Sequence, residues 1–210
     1  MPKIKVNSRT YESKITDGAY LLIVESKRPW YAPDFLIRKG FKNAVPEYQH
    51  AEGLIRKNFL IGQNGLFGGL YTWRDRASLD SFYGEARINA IEAKRGMRPI
   101  LSIFKVLYAH DFPLGLPPSN NAEKEWDGDY VVSVVNKGLA ANQLETAKDA
   151  YEKVNAQGGQ ITSYLVQGDD GNIYDIRLWV SQEERDLNLQ GMSSKDFDAP
   201  VLIEGSNGAL

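Results

Sequence analysis

The chain has 210 residues, of which 42% are hydrophobic and 25% are charged, and its formal net charge is −2. This composition is typical of a folded protein large enough for two small domains, and it excludes extensive disorder. The sequence contains no cysteine, which excludes disulfide bonds and thiolate metal sites, and its two histidines, His50 and His110, are too few for a multi-histidine metal centre.

The sequence contains no sign of a membrane segment. No apolar run approaches the roughly 20 residues of a membrane-spanning helix, and the N-terminal residues 1–18 lack the apolar stretch of a signal peptide. We therefore expect a cytoplasmic protein without a membrane partner. The role of residues 1–18 is left open, beyond a possible short edge strand.

The first predicted elements are a strand and a helix. Residues 19–26, AYLLIVES, are apolar and rich in β-formers, which predicts a core strand. Asp34 is placed to cap a helix that runs to about Ala44, and Pro46 is expected to end or kink it.

A β-hairpin is predicted next. Residues 53–62 and 66–73 are apolar and flank Gln63-Asn64-Gly65, where Asn-Gly tolerates the positive φ of a tight turn. Asp75 then caps a single long helix that Gly96 ends, and residues 99–111 supply a further strand. The order β-α-β-β-α-β is that of a ferredoxin-like unit.

Residues 116–128 form a predicted linker, and a second set of elements follows it. Ser181 and Glu184 match a capping box at the start of the last helix. The sequence therefore predicts domains over residues 1–115 and 129–210, of which the second is a degenerate copy of the first. Its predicted elements are a strand (129–136), a helix (143–158), a hairpin around Gly168–Gly171, the capped helix and a strand (199–204).

Part of the first hairpin recurs 106 residues later. Three of the matched residues are glycines at turn positions, and both segments share the pattern strand, tight turn, strand and helix start. The two halves nevertheless differ in charge, since residues 1–115 carry a net +7 and residues 116–210 a net −9. Opposite charge would favour docking of the halves or binding of an anion to the first. The matched pairs are Gly53/Gly159, Ile55/Ile161, Gly62/Gly168, Gly65/Gly171 and Trp73/Trp179.

Residues 19–115 resemble the monooxygenase-like proteins of the dimeric α/β-barrel superfamily, relatives of the antibiotic-biosynthesis monooxygenases. The pattern is a strand that begins Gly-Leu with a following Lys, a Gly-Gly-hydrophobic-Tyr strand ending in an aromatic residue, and an acidic cap before a helix. The residues that match it are Gly53, Leu54, Lys57, Gly68, Gly69, Tyr71, Trp73, Asp75 and Ser78.

The resemblance implies an α+β fold in which tandem ferredoxin-like units form a dimeric α/β-barrel type arrangement. The barrel could close within one chain as a pseudo-dimer or between two chains as a homodimer. The resemblance also implies a monooxygenase, an oxidoreductase that needs no cofactor and acts on a small aromatic or quinol-like substrate, which itself supplies electrons to dioxygen.

Seven residues of the first half are candidates for that site. His50, Tyr71 and Arg56 are the catalytic candidates: His50 is the candidate base, and Arg56 could hold an anionic oxygen. Arg56 and Lys57 point to opposite faces of their strand, so only one of them faces a pocket. Because Trp73 recurs as Trp179, packing is its simpler role. The substrate-binding candidates are Trp30, Tyr31, Trp73 and Tyr83.

The sequence leaves one other function open and disfavours two more. A non-catalytic ligand-binding or structural protein of the same fold remains an alternative. Nucleic-acid binding is disfavoured, because the third strand lacks the basic-Gly-aromatic-Gly-aromatic signature and the second half is acidic. Haem degradation is disfavoured because no Asn-Trp pair occurs in the sequence.

Overall fold

The computed structural model describes residues 15, 18–29, 31–62, 65–111, 125–155 and 159–204. Trp30, residues 63 and 64 of the first predicted turn, most of the N-terminal arm and residues 116–124 of the predicted linker lie outside this part of the chain. The first half contains β1 (Tyr20–Lys27), α1 (Asp34–Gln49), β2 (Leu54–Gly62), β3 (Leu66–Trp73), α2 (Arg76–Phe82), α3 (Glu85–Arg95) and β4 (Ile100–Asp111).

The second half follows the same order with one helix fewer. A single 3₁₀ turn (Ala141–Gln143) precedes its first helix. Its elements are β5 (Glu125–Ala140), α4 (Leu144–Asn155), β6 (Gln160–Gly168), β7 (Asn172–Trp179), α5 (Gln182–Asn188) and β8 (Lys195–Glu204). β5 thus begins inside the segment 116–128 that the sequence assigns to the linker.

The eight strands form one closed antiparallel barrel in the order β1-β3-β2-β8-β5-β7-β6-β4. Each half contributes four adjacent strands, and the halves meet at two seams, β2–β8 and β4–β6. The seams satisfy the backbone groups that the edge strands of each half would otherwise expose. The α+β class is confirmed, and the barrel closes within one chain.

The barrel interior is mainly apolar and is built by all eight strands. It includes Leu21, Leu70, Val132, Ile176 and Leu202, each with 1% exposure or less. The helices cover the outer face. None of the described helices is long and apolar enough to span a membrane.

Helix α1 differs from the prediction at both ends. Pro33 is its N-cap and Asp34 is its first residue, and the helix continues past Pro46 to Gln49. A proline inside a helix removes one hydrogen bond and crowds the preceding turn. Here Val45 is buried beneath the helix and Tyr48 packs beside it, and this packing holds the last turn in place.

The long helix predicted after Asp75 is two helices. The Asp75 side chain accepts a hydrogen bond from the Ser78 backbone N–H at 2.7 Å, which confirms the cap. α2 ends at Phe82, and Gly84 is extended (φ −65°, ψ 168°) before α3. The break leaves Tyr83 at the helix end, 5% exposed and directed at the sheet.

The two hairpins have the same construction. Gly53 and Gly159 have φ of 75° and 80°, and their carbonyls accept hydrogen bonds from the backbone N–H of Arg74 and Val180. Each tryptophan that ends a hairpin pairs with the first residue of the preceding strand, as in Trp73 with Leu54. The five residue pairs matched in sequence therefore occupy equivalent places in β2–β3 and β6–β7.

Candidate functional site

An aromatic cluster fills the space between β3 and the helices of the first half. Tyr71 is its centre, with ring centroids 5.2 Å from Tyr83, 5.6 Å from Tyr48 and 6.4 Å from Trp73. Alternation along β3 places Tyr71 and Trp73 on the outer face of the barrel. We use the name aromatic cluster for Tyr48, Phe59, Tyr71, Trp73, Phe82 and Tyr83.

A lysine is buried inside the aromatic cluster. Lys57 is 2% exposed, and its Nζ lies 2.9 Å from the ring centroid of Tyr48, 3.8 Å from Phe59 and 4.7 Å from Tyr71. Burial lowers the pKa of Lys57 well below its ordinary value. Glu47 partly opposes this shift and Arg87 adds to it. The environment thus favours a neutral amine, the form that can accept a proton.

Two tyrosines of the cluster, Tyr71 and Tyr83, are favoured in their protonated form. Burial raises the pKa of Tyr71 well above its ordinary value, and the neighbouring Tyr83 and Tyr48 raise it further. Burial also raises the pKa of Tyr83. The two phenols therefore act as hydrogen-bond donors at neutral pH.

Two further donors in the cluster have no acceptor among the described residues. The indole Nε1 of Trp73 and the Nε of Arg87 are both buried without a hydrogen bond. Arg87 lies over the Phe82 ring at 3.9 Å, and its Nη2 donates to Glu47 at 2.5 Å. A buried donor without an acceptor costs about 1–3 kcal/mol. The cluster therefore has an excess of donors and suits an oxygen or an anion.

In the equivalent region of the second half, the buried donors of Arg177 and Trp179 find acceptors within that half. Arg177 stands in the place of Tyr71 and makes two hydrogen bonds to Asp175, at 2.7 and 2.8 Å, and one to Gln160 at 2.9 Å. Trp179 donates its Nε1 to Ser133 at 2.8 Å, whereas Trp73 has no such acceptor in the part of the chain that the structure describes. The excess of donors is thus a property of the first half.

Arg56, a predicted catalytic residue, lies on the other side of the sheet from Tyr71. An irregularity in the β2–β3 pairing between Leu54 and Arg56 directs Ile55 and Arg56 into the barrel. There the guanidinium contacts Asp111 at 2.8 Å and also Thr162. The structure does not bring Arg56 together with the other candidates.

Two further candidates, His50 and Tyr31, also lie apart from the cluster. His50 caps the C-terminal end of α1 and is exposed. Tyr31 is 68% exposed and borders an open cleft of about 720 Å³ with Lys27 and Arg28. Trp30 lies outside the described residues. Of the seven predicted residues, the structure therefore brings together Tyr71, Trp73 and Tyr83.

The aromatic cluster is closed. Tyr71, Trp73 and Tyr83 are each 5% exposed or less, and none of them borders the clefts near Tyr31 or Glu25. Ligand binding at the cluster thus requires side chains to move. Among the described residues, no group of three His, Asp or Glu side chains could hold a metal ion.

Several solved structures superpose on this chain over most of its length. A protein of Lactobacillus acidophilus NCFM named "putative monooxygenase" superposes with a TM-score of 0.59 at 13% identity, over 92% of this chain and 98% of the other. One of the same name from Fusobacterium nucleatum gives 0.58 at 8% identity, over 90% and 96%. An anthrone oxidase-like protein gives 0.57 at 13% identity, over 92% and 95%.

The chain has the fold of these proteins. The likeness extends over nine-tenths of the chain, beyond residues 19–115, which carry the sequence resemblance. No protein-family model and no curated protein matches the sequence.

Sequence reasoning missed three residues of the site. Lys57 belongs to the matched sequence pattern but was not selected as a site residue. Tyr48 and Arg87 were not singled out either. Tyr48 falls beyond Pro46, where the helix was expected to end, and Arg87 lies in α3, which the sequence merges with α2. A lysine between Arg56 and Phe59 in an otherwise buried strand was the available signal.

Proposed function

We propose that this protein is a cofactor-independent monooxygenase that oxidises a small aromatic, phenolic or quinol-like substrate at the aromatic cluster of its first half. One observation carries the proposal: a buried, aromatic-walled cluster that holds Lys57 and two unsatisfied donors, Trp73 Nε1 and Arg87 Nε. The fold it shares with proteins named as monooxygenases supports it.

In the proposed reaction, each polar or aromatic side chain of the site has a separate role. The neutral amine of Lys57 removes the substrate's acidic proton, and Trp73 and Arg87 donate hydrogen bonds to the resulting oxyanion. The electron-rich anion then reduces dioxygen. One oxygen atom replaces two hydrogens of the substrate and the other leaves as water, so the substrate supplies every electron. Tyr71 donates a hydrogen bond to the substrate oxygen, and Tyr83 packs against the ring.

We also propose that the chain consists of two units, residues 1–115 and 129–210, that act as the two subunits of a dimeric barrel. The equivalent hairpins and the barrel seams support this division. Only the first unit would be catalytic, because Arg177 and Asp175 occupy the equivalent region of the second.

Oxygen uptake with anthrone and with substituted hydroquinones tests the proposal. We expect the native protein to consume oxygen above the uncatalysed rate. Lys57→Met and Tyr71→Phe are expected to lower kcat by about 10²-fold or more and about 10-fold, respectively, because the first removes the base and the second only one donor.

Two variants serve as controls. Lys105→Met makes the same substitution at an exposed lysine of β4 and should retain full activity. His50→Ala removes the other candidate base. If His50→Ala lost as much activity as Lys57→Met is expected to lose while Lys57→Met stayed active, the base would be His50.

The alternative is a ligand-binding or structural protein without turnover. The burial of Tyr71, Trp73 and Tyr83, each 5% exposed or less, favours this second candidate. Absence of oxygen uptake above background with every substrate, in protein shown to be folded, would reject the oxygenase and leave this alternative.

A further inference from the structure

A separate pair of cavities lies at the end of the barrel where the β2–β3 and β6–β7 hairpins turn, which we call the hairpin mouth. The cavities measure about 340 and 240 Å³ and share Glu25, Lys195 and Phe197 in their walls. The larger one is also lined by Phe104 and Tyr174, whose rings pack edge to face at 5.2 Å. The volume suits a small organic ligand.

A buried carboxylate lies between the two cavities. Glu25 is 4% exposed and lies near the C-terminal end of β1, on the face that points into the barrel. Its Oε2 accepts a hydrogen bond from Lys195 Nζ at 2.6 Å, whereas Oε1 is buried with no hydrogen-bond partner among the described residues. A buried charged acceptor that lacks a donor is costly, so the site can accommodate one more donor group.

Lys195 indicates which donor the site accepts. Its side chain is 54% exposed, yet its ammonium group contacts the buried Glu25 and lies 5.1 Å from the Phe197 ring centroid. A carboxylate with an aromatic face beside it is a recognised arrangement for ammonium groups. The chain's own lysine therefore occupies one of the two positions that Glu25 offers.

The charge of the larger cavity favours a cation. Its ionisable walls are three carboxylates, Glu25, Asp169 and Asp170, against the single ammonium of Lys195. Asp170 already accepts hydrogen bonds from Tyr174 and Asn172. Glu25 is thus the acidic group with a buried oxygen still lacking a donor.

The barrel itself does not require this ion pair. In the second half, the strand position equivalent to Glu25 is Asn136, which is exposed and bonds to the Gly138 backbone N–H. The first-half position equivalent to Lys195 is Ser102. The equivalent corner of the barrel therefore closes without charge, which argues that Glu25 and Lys195 serve a ligand.

We propose that the hairpin mouth binds a small primary amine. The ligand's ammonium group donates to Glu25 Oε1, and its apolar body packs between Phe104 and Phe197. The site is on the opposite face of the sheet from the aromatic cluster, so it does not depend on the proposed oxygenase activity.

Benzylamine is the probe, and benzyl alcohol is its neutral isostere. We expect benzylamine to shift the amide NMR signals of β1, β4 and β8 at the hairpin mouth, and benzyl alcohol to bind at least about tenfold more weakly, since it lacks the charge-assisted hydrogen bond. Glu25→Gln should weaken benzylamine binding by about tenfold or more. Asp198→Asn removes an exposed carboxylate on the other face of β8 and should leave the affinity unchanged.

Lys195→Met provides a second test if Glu25→Gln does not fold. It frees Glu25 Oε2 and removes a competing ammonium, so benzylamine should bind more tightly. Equal binding of benzylamine and benzyl alcohol, shifts located away from the hairpin mouth, absence of binding, or an affinity unaffected by both variants would each overturn the proposal.

Discussion

Neighbouring residues on β2 illustrate two ways in which this protein buries a basic side chain. Arg56 points into the barrel and is neutralised by Asp111 at 2.8 Å. Lys57 points outward into the aromatic cluster, where its contacts are with rings and its pKa is lowered by burial. Arg56 therefore has a structural partner. Lys57 carries a cost that a functional role would explain.

Replacement of Lys57 is expected to stabilise the protein. Because its pKa is lower in the folded than in the unfolded state, the protonated lysine lowers stability below the folded-state pKa. This cost disappears as pH rises towards the ordinary value of 10.5. Lys57→Met should raise the free energy of unfolding by about 1–3 kcal/mol near pH 7. The gain should shrink with rising pH, as urea titrations from pH 7 to pH 9.5 would reveal.

The exposed Lys105 supplies the matched comparison. Lys105→Met should change the free energy of unfolding by less than about 0.5 kcal/mol at every pH. Tyr71 and Tyr83 have raised pKa values and also make the free energy of unfolding depend on pH at higher pH. Because native and variant proteins share these tyrosines, their contribution cancels when the proteins are compared. A Lys57→Met protein less stable than the native one at pH 7 would contradict the assigned burial cost.

At the level of elements, local signals predict the structure correctly where a short-range contact decides it. The Asp75 cap and the Gly168–Gly171 turn follow from residues within a few positions of each other. The continuation of α1 past Pro46 and the break at Gly84 do not follow from such local residues. Both depend on packing of Tyr48 and Tyr83 against the sheet, contacts that no local pattern contains.

The site was only partly predictable for the same reason. Alternation along β3 placed Tyr71 and Trp73 on one face, and alternation along β2 separated Arg56 from Lys57. Either Arg56 or Lys57 could point towards the aromatic residues, and the way the barrel closes decides which of them does. The pairing irregularity beside Leu54 turns Arg56 inward, and strand alternation alone does not predict it.

Gly53 is expected to be the more sensitive of two hairpin glycines. It has a φ of 75°, and a Cβ added there would overlap the Ser78 side chain in the first turn of α2. Gly65 has a similar φ of 67° but open space around it. Gly53→Ala should therefore cost more than Gly65→Ala, whose cost should be only the roughly 1–2 kcal/mol of a left-handed backbone. Urea unfolding of both variants measures the difference, and equal losses would show that Ser78 moves aside freely.

For the whole molecule, backbone pairing and apolar packing unite the halves more than their opposite charges do. The exposed pair Lys42–Asp127 joins the halves at 2.5 Å, but surface pairs contribute at most about 1 kcal/mol. The seams β2–β8 and β4–β6 instead satisfy whole strand edges and enclose one shared core. The charge difference noted in the sequence is thus a minor contribution to the fold.

Asp111→Asn tests whether the closed barrel unfolds as one unit. Asp111 on β4 accepts hydrogen bonds from Arg56 on β2 and Thr162 on β6, both at 2.8 Å, so it links both halves inside the barrel. Loss of its charge breaks the buried ion pair with Arg56, at a cost of about 3–5 kcal/mol. Hydrogen exchange under increasing denaturant should show β3 and β7 losing protection together, at lower denaturant than in the native protein.

Asp80→Asn, in an exposed pair with Arg76, should change little. Separate unfolding of β3 and β7 would instead show that the barrel seams do not couple the halves, and that each behaves as an independent domain.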